Sequence, residues 1–241
     1  MNTIYQNIIA STLKSERLLA VLIDPDKTKC NAVSSFIYKV NQSVATHVFV
    51  GGSDVNEGVT EVLVAEIKKH TQLPVVLFPG DVIQITDKAD AILFLSLISG
   101  RNPEYLIGKH VEAVSKLKET NLQVIPTGYI LIENGKETSV ERVSATKPIK
   151  RSHTQVIVNT AIAGELLGMK LIYLEAGSGA SHSIEPEIIS AVKKELTIPL
   201  IVGGGIRSLK EIDSAYKAGA DVVVIGTAFE EDESFFEEIK K

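Results

Sequence analysis

The pattern of the chain predicts a (β/α)8 TIM barrel, an α/β fold in which parallel strands close on themselves inside a ring of helices. Three observations carry that expectation. Short β-branched runs alternate with helical patterns along the whole of 241 residues, which is the size and rhythm of such a barrel. Most runs are apolar at consecutive positions, as strands buried on both faces of a parallel sheet require. No G-x-G-x-x-G fingerprint follows the first run, which lowers the alternative of a doubly wound open sheet. No linker, low-complexity tract or charge block divides the chain, so residues 1–241 read as a single domain.

The runs are Leu18–Asp24, His47–Ser53, Pro74–Gly80, Ala91–Ser99, Gln123–Leu131, Leu171–Gly177, Pro199–Gly204 and Asp221–Gly226. Between the fourth and fifth, Ile107, Val111, Val114 and Leu117 recur at helical spacing, with Lys and Glu elsewhere, and predict an amphipathic helix over Pro103–Thr120. Pro186 suits the first turn of a helix carrying Ile188, Ile189 and Val192. Ser208-x-x-Glu211 is a capping-box pattern opening a helix over Leu209–Ala218, and Gly219 ends it. Asp81–Lys88 is too short for a packing helix, so the third βα unit is expected to be irregular. The polar stretch Glu133–Gln155 is the longest irregular segment, and loops of that length in compact domains are usually functional or mobile.

Composition narrows the function. A lone cysteine, Cys30, excludes an intramolecular disulfide framework and fits a reducing cytoplasm. No apolar run is long enough to span a bilayer, and Met1 to Ser15 shows no apolar signal core. A net charge of −5 speaks against a nucleic-acid surface. It says less about a small anion, which backbone N–H groups and a metal ion can bind on an acidic protein. The five histidines, His47, His70, His110, His153 and His182, show no metal-ligand spacing.

In a barrel of this kind the active site forms where strands end. Glycine-rich segments follow the sixth, seventh and eighth strands: Gly177-Ser178-Gly179, Gly203-Gly204-Gly205 and Gly226-Thr227. One such pair merely ends a strand tightly; three together point to backbone N–H groups turned toward a phosphate. Ala228-Phe229-Glu230 is placed to begin a short helix beside it. Asp24 ends an otherwise apolar strand, where an unpartnered carboxylate is costly. It reads as a ligand of a hard cation such as Mg2+, with Ser53 on the next strand, or as a cap or partner of Lys27. Glu175 ends another apolar strand and reads as a group that accepts a hydrogen bond from a substrate hydroxyl or takes its proton, or as an ion-pair partner of Arg207. Tyr173 shares its inward face and reads, with Glu175, as a catalytic candidate that supplies a hydroxyl donor, or as a core aromatic.

These segments, with Asp24-Pro25-Asp26-Lys27, Gly51-Gly52-Ser53 and above all Tyr173-Leu-Glu-Ala-Gly-Ser-Gly179, resemble the geranylgeranylglyceryl phosphate synthase family over nearly the whole chain. The resemblance implies an Mg2+-dependent prenyltransferase that joins the sn-3 hydroxyl of sn-glycerol 1-phosphate to C1 of a polyprenyl diphosphate. It places the glycerol-phosphate site on Tyr173, Leu174, Glu175, Ala176, Gly177, Ser178, Gly179, Gly204, Gly205, Gly226 and Thr227. It places the metal on Asp24 and Ser53. The YLEAGSG segment and the extra residues 133–155 look closer to the branch using a geranylgeranyl donor than to heptaprenylglyceryl phosphate synthase. The prenyl chain implied needs an apolar groove, expected along Phe78-Pro79-Gly80 and Leu93–Ile98, where the missing helix opens the wall. A homo-oligomer is expected, as is peripheral contact with lipid, although no basic amphipathic helix marks a membrane face. Competing readings are a metal-independent phosphate-binding isomerase or synthase barrel and a non-catalytic phosphometabolite sensor. Asp24 and Glu175 speak against the sensor, since a simple phosphate binder would avoid nearby negative charge.

Overall fold

In the computed structural model, which describes residues 3–232 and 234–240, eight strands pair in chain order and close into a barrel. They are β1 (Leu18–Ile23), β2 (His47–Val50), β3 (Val75–Leu77), β4 (Ala91–Ser96), β5 (Gln123–Leu131), β6 (Leu171–Glu175), β7 (Leu200–Gly203) and β8 (Val222–Ile225). Each lies inside an expected run. All pairs are parallel, and Ala20 of β1 sits beside Val224 of β8 to close the ring. Every residue of β6, β7 and β8 is buried, because one face fills the barrel and the other lies under helices. Phe49, Val76, Leu93, Ile125 and Tyr173 fill the interior. Their sequence neighbours Val48, Val75, Ile92, Ile172 and Leu174 pack in the outer layer.

Helices α1 (Ile4–Leu13), α2 (Val33–Gln42), α3 (Val59–Lys68), α4 (Lys109–Lys118), α5 (Ser139–Ser144), α6 (Thr154–Leu166), α7 (Pro186–Glu195), α8 (Leu209–Lys217), α9 (Thr227–Glu231) and α10 (Phe235–Glu238) complete the described chain. Pro186 opens α7 as expected. The Ser208 hydroxyl caps α8 by accepting from the Glu211 N–H at 3.3 Å. The third unit holds only the 3-10 turn Val82–Gln84. That leaves the barrel wall thin on one side, as the short segment required.

Three features differ from the expectation. Helix α1 occupies part of the N-terminal stretch that carried no assigned element, and its Ile8 is buried in the inner cluster. Residues 133–155 are not one irregular loop. They contain α5, and Ile132 forms a parallel bridge with Ile149. The helix after β4 begins as a π-turn, Glu104–Gly108, and most of its apolar stripe faces outward, with only Leu117 packed against the core. Ile107, Val111 and Val114 are exposed at 59%, 67% and 43%, whereas Ala113 is buried. The inward face carries Lys109, His110 and Ala113 because it borders a cavity rather than a strand.

Candidate active site

The C-terminal ends of the strands converge on one cavity of about 340 Å³, within the roughly 300–1,000 Å³ range of small-molecule sites. Alternation along β6 turns Tyr173 and Glu175 inward and Leu174 outward. Leu174 and Ala176 are buried in the outer layer, so the side chains of these two expected contacts do not line the cavity. Glu175 is 4% exposed. Its carboxylate accepts the Gly177 N–H at 2.6 Å. Burial pushes its carboxyl up to about 7, against the opposing pull of the Gly177 N–H and the hydroxyls of Tyr173 and Tyr129. The alternative pairing with Arg207 is not what holds it; that guanidinium donates to the Ala180 carbonyl at 2.7 Å.

Tyr129 was not among the expected site residues. It sits on β5 in register with Tyr173, and the two rings meet edge to face at 5.4 Å. The alternation Ile125, Thr127, Tyr129 along the fifth run is the signal that marks it as inward. Phe78 lies against both rings, at 5.9 and 5.2 Å. Burial pushes both phenols well up, and the Glu175 charge adds to this. The buried Tyr173 hydroxyl has no hydrogen bond of good geometry among the described residues. A buried orphan hydroxyl beside a carboxylate is a place for a ligand's polar group.

The loop after β7 crosses directly over Glu175. Gly204 has φ +83°, and a Cβ there would collide with the Glu175 Oε1, so only glycine fits this turn. The N–H groups of Gly204 and Gly205 have no acceptor among the described residues. Ser178, Gly226 and Thr227 border the same end of the cavity, and Gly226 precedes the short helix α9. Gly177 and Gly179 shape the loop rather than offer free donors. The Gly179 N–H is donated to the Thr227 Oγ1 at 3.2 Å, which leaves that hydroxyl's own proton for a ligand. The arrangement is a nest of backbone and hydroxyl donors able to take an anion.

Across the cavity, Asp24 follows β1 and lines the wall with Ser53. Its Oδ1 accepts the Asp26 N–H at 3.1 Å, and its Oδ2 lies 3.2 Å from the Lys27 Nζ. Both readings of Asp24 therefore have a physical footing, because a carboxylate carries about four acceptor positions. The donor set is oxygen only. Among the described residues, no three His, Cys, Asp or Glu side chains converge as an all-protein cage. That fits Mg2+, which takes one or two carboxylates and completes its shell with water and substrate phosphates.

The rest of the cavity is apolar. Phe78, Leu93, Leu95 and Leu97 line it, together with Val82 and Ile85 of the thin third unit and Val140 and Val143 of α5. Ile98, expected in this groove, packs instead against Gly128 and Gly164 in the outer layer. An Asp81–Lys109 ion pair interrupts the apolar wall, and the Lys109 Nζ lies 5.6 Å from the centre of the Tyr105 ring. Helix α5 is the part of the long segment that borders the groove. No helix among the described residues is long and apolar enough to cross a membrane.

Residues 11–241 match the PcrB family. Geranylgeranylglyceryl phosphate synthase of Flavobacterium johnsoniae is 56% identical over 237 residues, covering 98% of both chains. The protein of that name from Pyrococcus furiosus is 40% identical, covering 98% of this chain and 94% of its own. Among solved structures, (S)-3-O-geranylgeranylglyceryl phosphate synthase from Thermoplasma acidophilum, in complex with sn-glycerol-1-phosphate, superposes with a TM-score of 0.93. It is 31% identical and covers 99% of this chain and 96% of its own.

Proposed function

The chain belongs to the PcrB family and is an enzyme that transfers prenyl groups, and from that premise we propose that it joins sn-glycerol 1-phosphate to geranylgeranyl diphosphate. The observation that carries this reading is Glu175, a buried carboxyl standing between an anion nest and an apolar groove. A phosphate on one side and a hydrocarbon chain on the other would bring a hydroxyl and an allylic carbon to the same carboxylate.

The reaction balances with the groups present. The oxygen of the sn-3 hydroxyl forms a bond to C1 of the prenyl chain as the bond from C1 to the diphosphate oxygen breaks. The hydroxyl proton passes to Glu175, and diphosphate leaves. An allylic carbon tolerates positive charge, so the main demand on the protein is to place the nucleophile and accept its proton. Gly204, Gly205, Ser178 and Thr227 would hold the glycerol phosphate, and the Tyr173 hydroxyl would meet a glycerol oxygen. Asp24 and Ser53 would hold Mg2+, which supplies charge stabilisation for the departing diphosphate.

Turnover of sn-glycerol 1-phosphate with prenyl diphosphates of increasing length tests this reading. Ether formation with the C20 donor, stopped by a chelator and restored by Mg2+, is expected. Preference for a C35 donor would instead make the chain a heptaprenylglyceryl phosphate synthase. Metal-independent turnover of a sugar phosphate would overturn the proposal.

A further inference from the structure

The long segment after β5 carries a second feature that the groove does not use. Arg151 stands in the turn before α6, its side chain only 18% exposed. Its Nε donates to the Glu133 carbonyl at 2.6 Å. Its Nη2 donates to the carbonyls of His182 and Ser183 at 3.1 and 2.8 Å. Its Nη1 lies 2.8 Å from the carboxylate of Glu185, which precedes α7. One rigid fork of donors thus ties together the end of β5, the loop after β6 and the start of α7.

That loop is the one that borders the anion nest. It contains two glycines at positive φ, Gly177 and Gly179, and glycine-rich backbone loses much entropy when ordered. The loop also carries its neighbour. A Cβ on Gly205 would stand 2.8 Å from the His182 carbonyl oxygen, so the β7 turn rests on the backbone that Arg151 holds. On the opposite side the loop is held by Arg207 through Ala180. Arg151 is absent from the cavity lining and acts only through this backbone.

We propose that Arg151 is a positioning residue for the anion site, holding the loop from Gly177 to Ser183 in its phosphate-receiving geometry before the ligand arrives. This rests on the reading of that end of the cavity as the glycerol 1-phosphate site. A preset loop means that binding need not supply the ordering entropy, and a small misplacement of the loop would weaken phosphate binding while leaving the prenyl groove untouched.

The experiment compares wild type, Arg151→Met and Arg151→Lys in steady-state kinetics for both substrates, in calorimetric binding of glycerol 1-phosphate and of inorganic phosphate, and in thermal melts. Arg151→Met is expected to raise KM for glycerol 1-phosphate and weaken both anions by about 10- to 100-fold. Its KM for the prenyl diphosphate and its kcat at saturation should stay within about threefold of wild type on the same grounds. Arg151→Lys should fall between, since one ammonium cannot meet all three carbonyls and Glu185 in a fixed fork. If Arg151→Met does not fold, Arg151→Lys decides alone, and unchanged anion affinity overturns the proposal. Equal losses for both substrates alongside a lowered melting temperature overturn it as well, because they describe general damage. Wild type that binds inorganic phosphate but neither binds nor turns over glycerol 1-phosphate overturns the substrate reading instead. The effect of Arg151→Met on phosphate affinity still decides the positioning role in that case.

Discussion

A carboxyl group at the buried end of an apolar strand needs a reason to be there, and Glu175 has one in the proton it would accept. Burial raises it to about 7, so the ionised fraction grows through neutrality. The kcat/KM for glycerol 1-phosphate is therefore expected to rise with pH up to about 7 and then level. Glu175→Gln should lower it by about 10²- to 10⁴-fold and remove that limb. A wild-type limb near the ordinary carboxylate range would contradict the assignment. At this scale the sequence was informative wherever chemistry interrupted a pattern. Asp24 and Glu175 stood out as charges closing apolar runs, and both line the cavity. Tyr129 did not stand out, because an aromatic in a strand reads equally as core. Only its register beside Tyr173 brings it to the carboxylate. Leu174 and Ala176 belong to the recognisable segment, but strand alternation turns their side chains away.

The elements repeat that contrast. Strands were legible because two-sided burial imposes a continuous apolar run, and the missing third helix was legible because too few residues lie between its strands. The helix after β4 was not, since amphipathic spacing identifies a stripe without saying which way it faces. Val111, on the apolar stripe that the spacing identifies, is two-thirds exposed. Val111→Glu is accordingly expected to change unfolding free energy by no more than about 0.5 kcal/mol, measured by denaturant titration; a loss of several kcal/mol would mean that the stripe is covered. The hollow wall that this helix borders gives a second expectation. Leu95→Trp should shorten the longest prenyl diphosphate accepted without changing KM for glycerol 1-phosphate. Unaltered chain-length preference across that substitution would remove β4 from the groove.

At the scale of the whole molecule, two buried groups set opposing pH dependences. Glu175 is raised from 4.5 to about 7, so its contribution favours the folded state below pH 4.5 and is lost as pH rises through 7. His47, 6% exposed, is lowered by burial from 6.5 to about 4. Its contribution is present above pH 6.5 and is lost as pH falls through 4. Each amounts to something on the order of 3 kcal/mol across its window. Melting temperatures from pH 4 to 8 should show Glu175→Gln gaining on wild type as pH rises, and His47→Gln gaining as pH falls. Parallel curves for all three proteins would contradict both placements.

The net charge of −5 is compatible with a site for phosphates at this scale, because the nest is built from backbone N–H groups that composition does not count. The sequence by itself determined the closed barrel, the order of its strands, the thin third unit and the strand ends where a site must lie. All of these follow from local periodicity and from residues placed against it. The tertiary structure alone decided that Tyr129 reaches Glu175, that α4 turns Val111 and Val114 outward and that Arg151 braces a loop some thirty residues away. Those outcomes depend on rotation, register and long-range hydrogen bonds, which spacing along a chain does not encode.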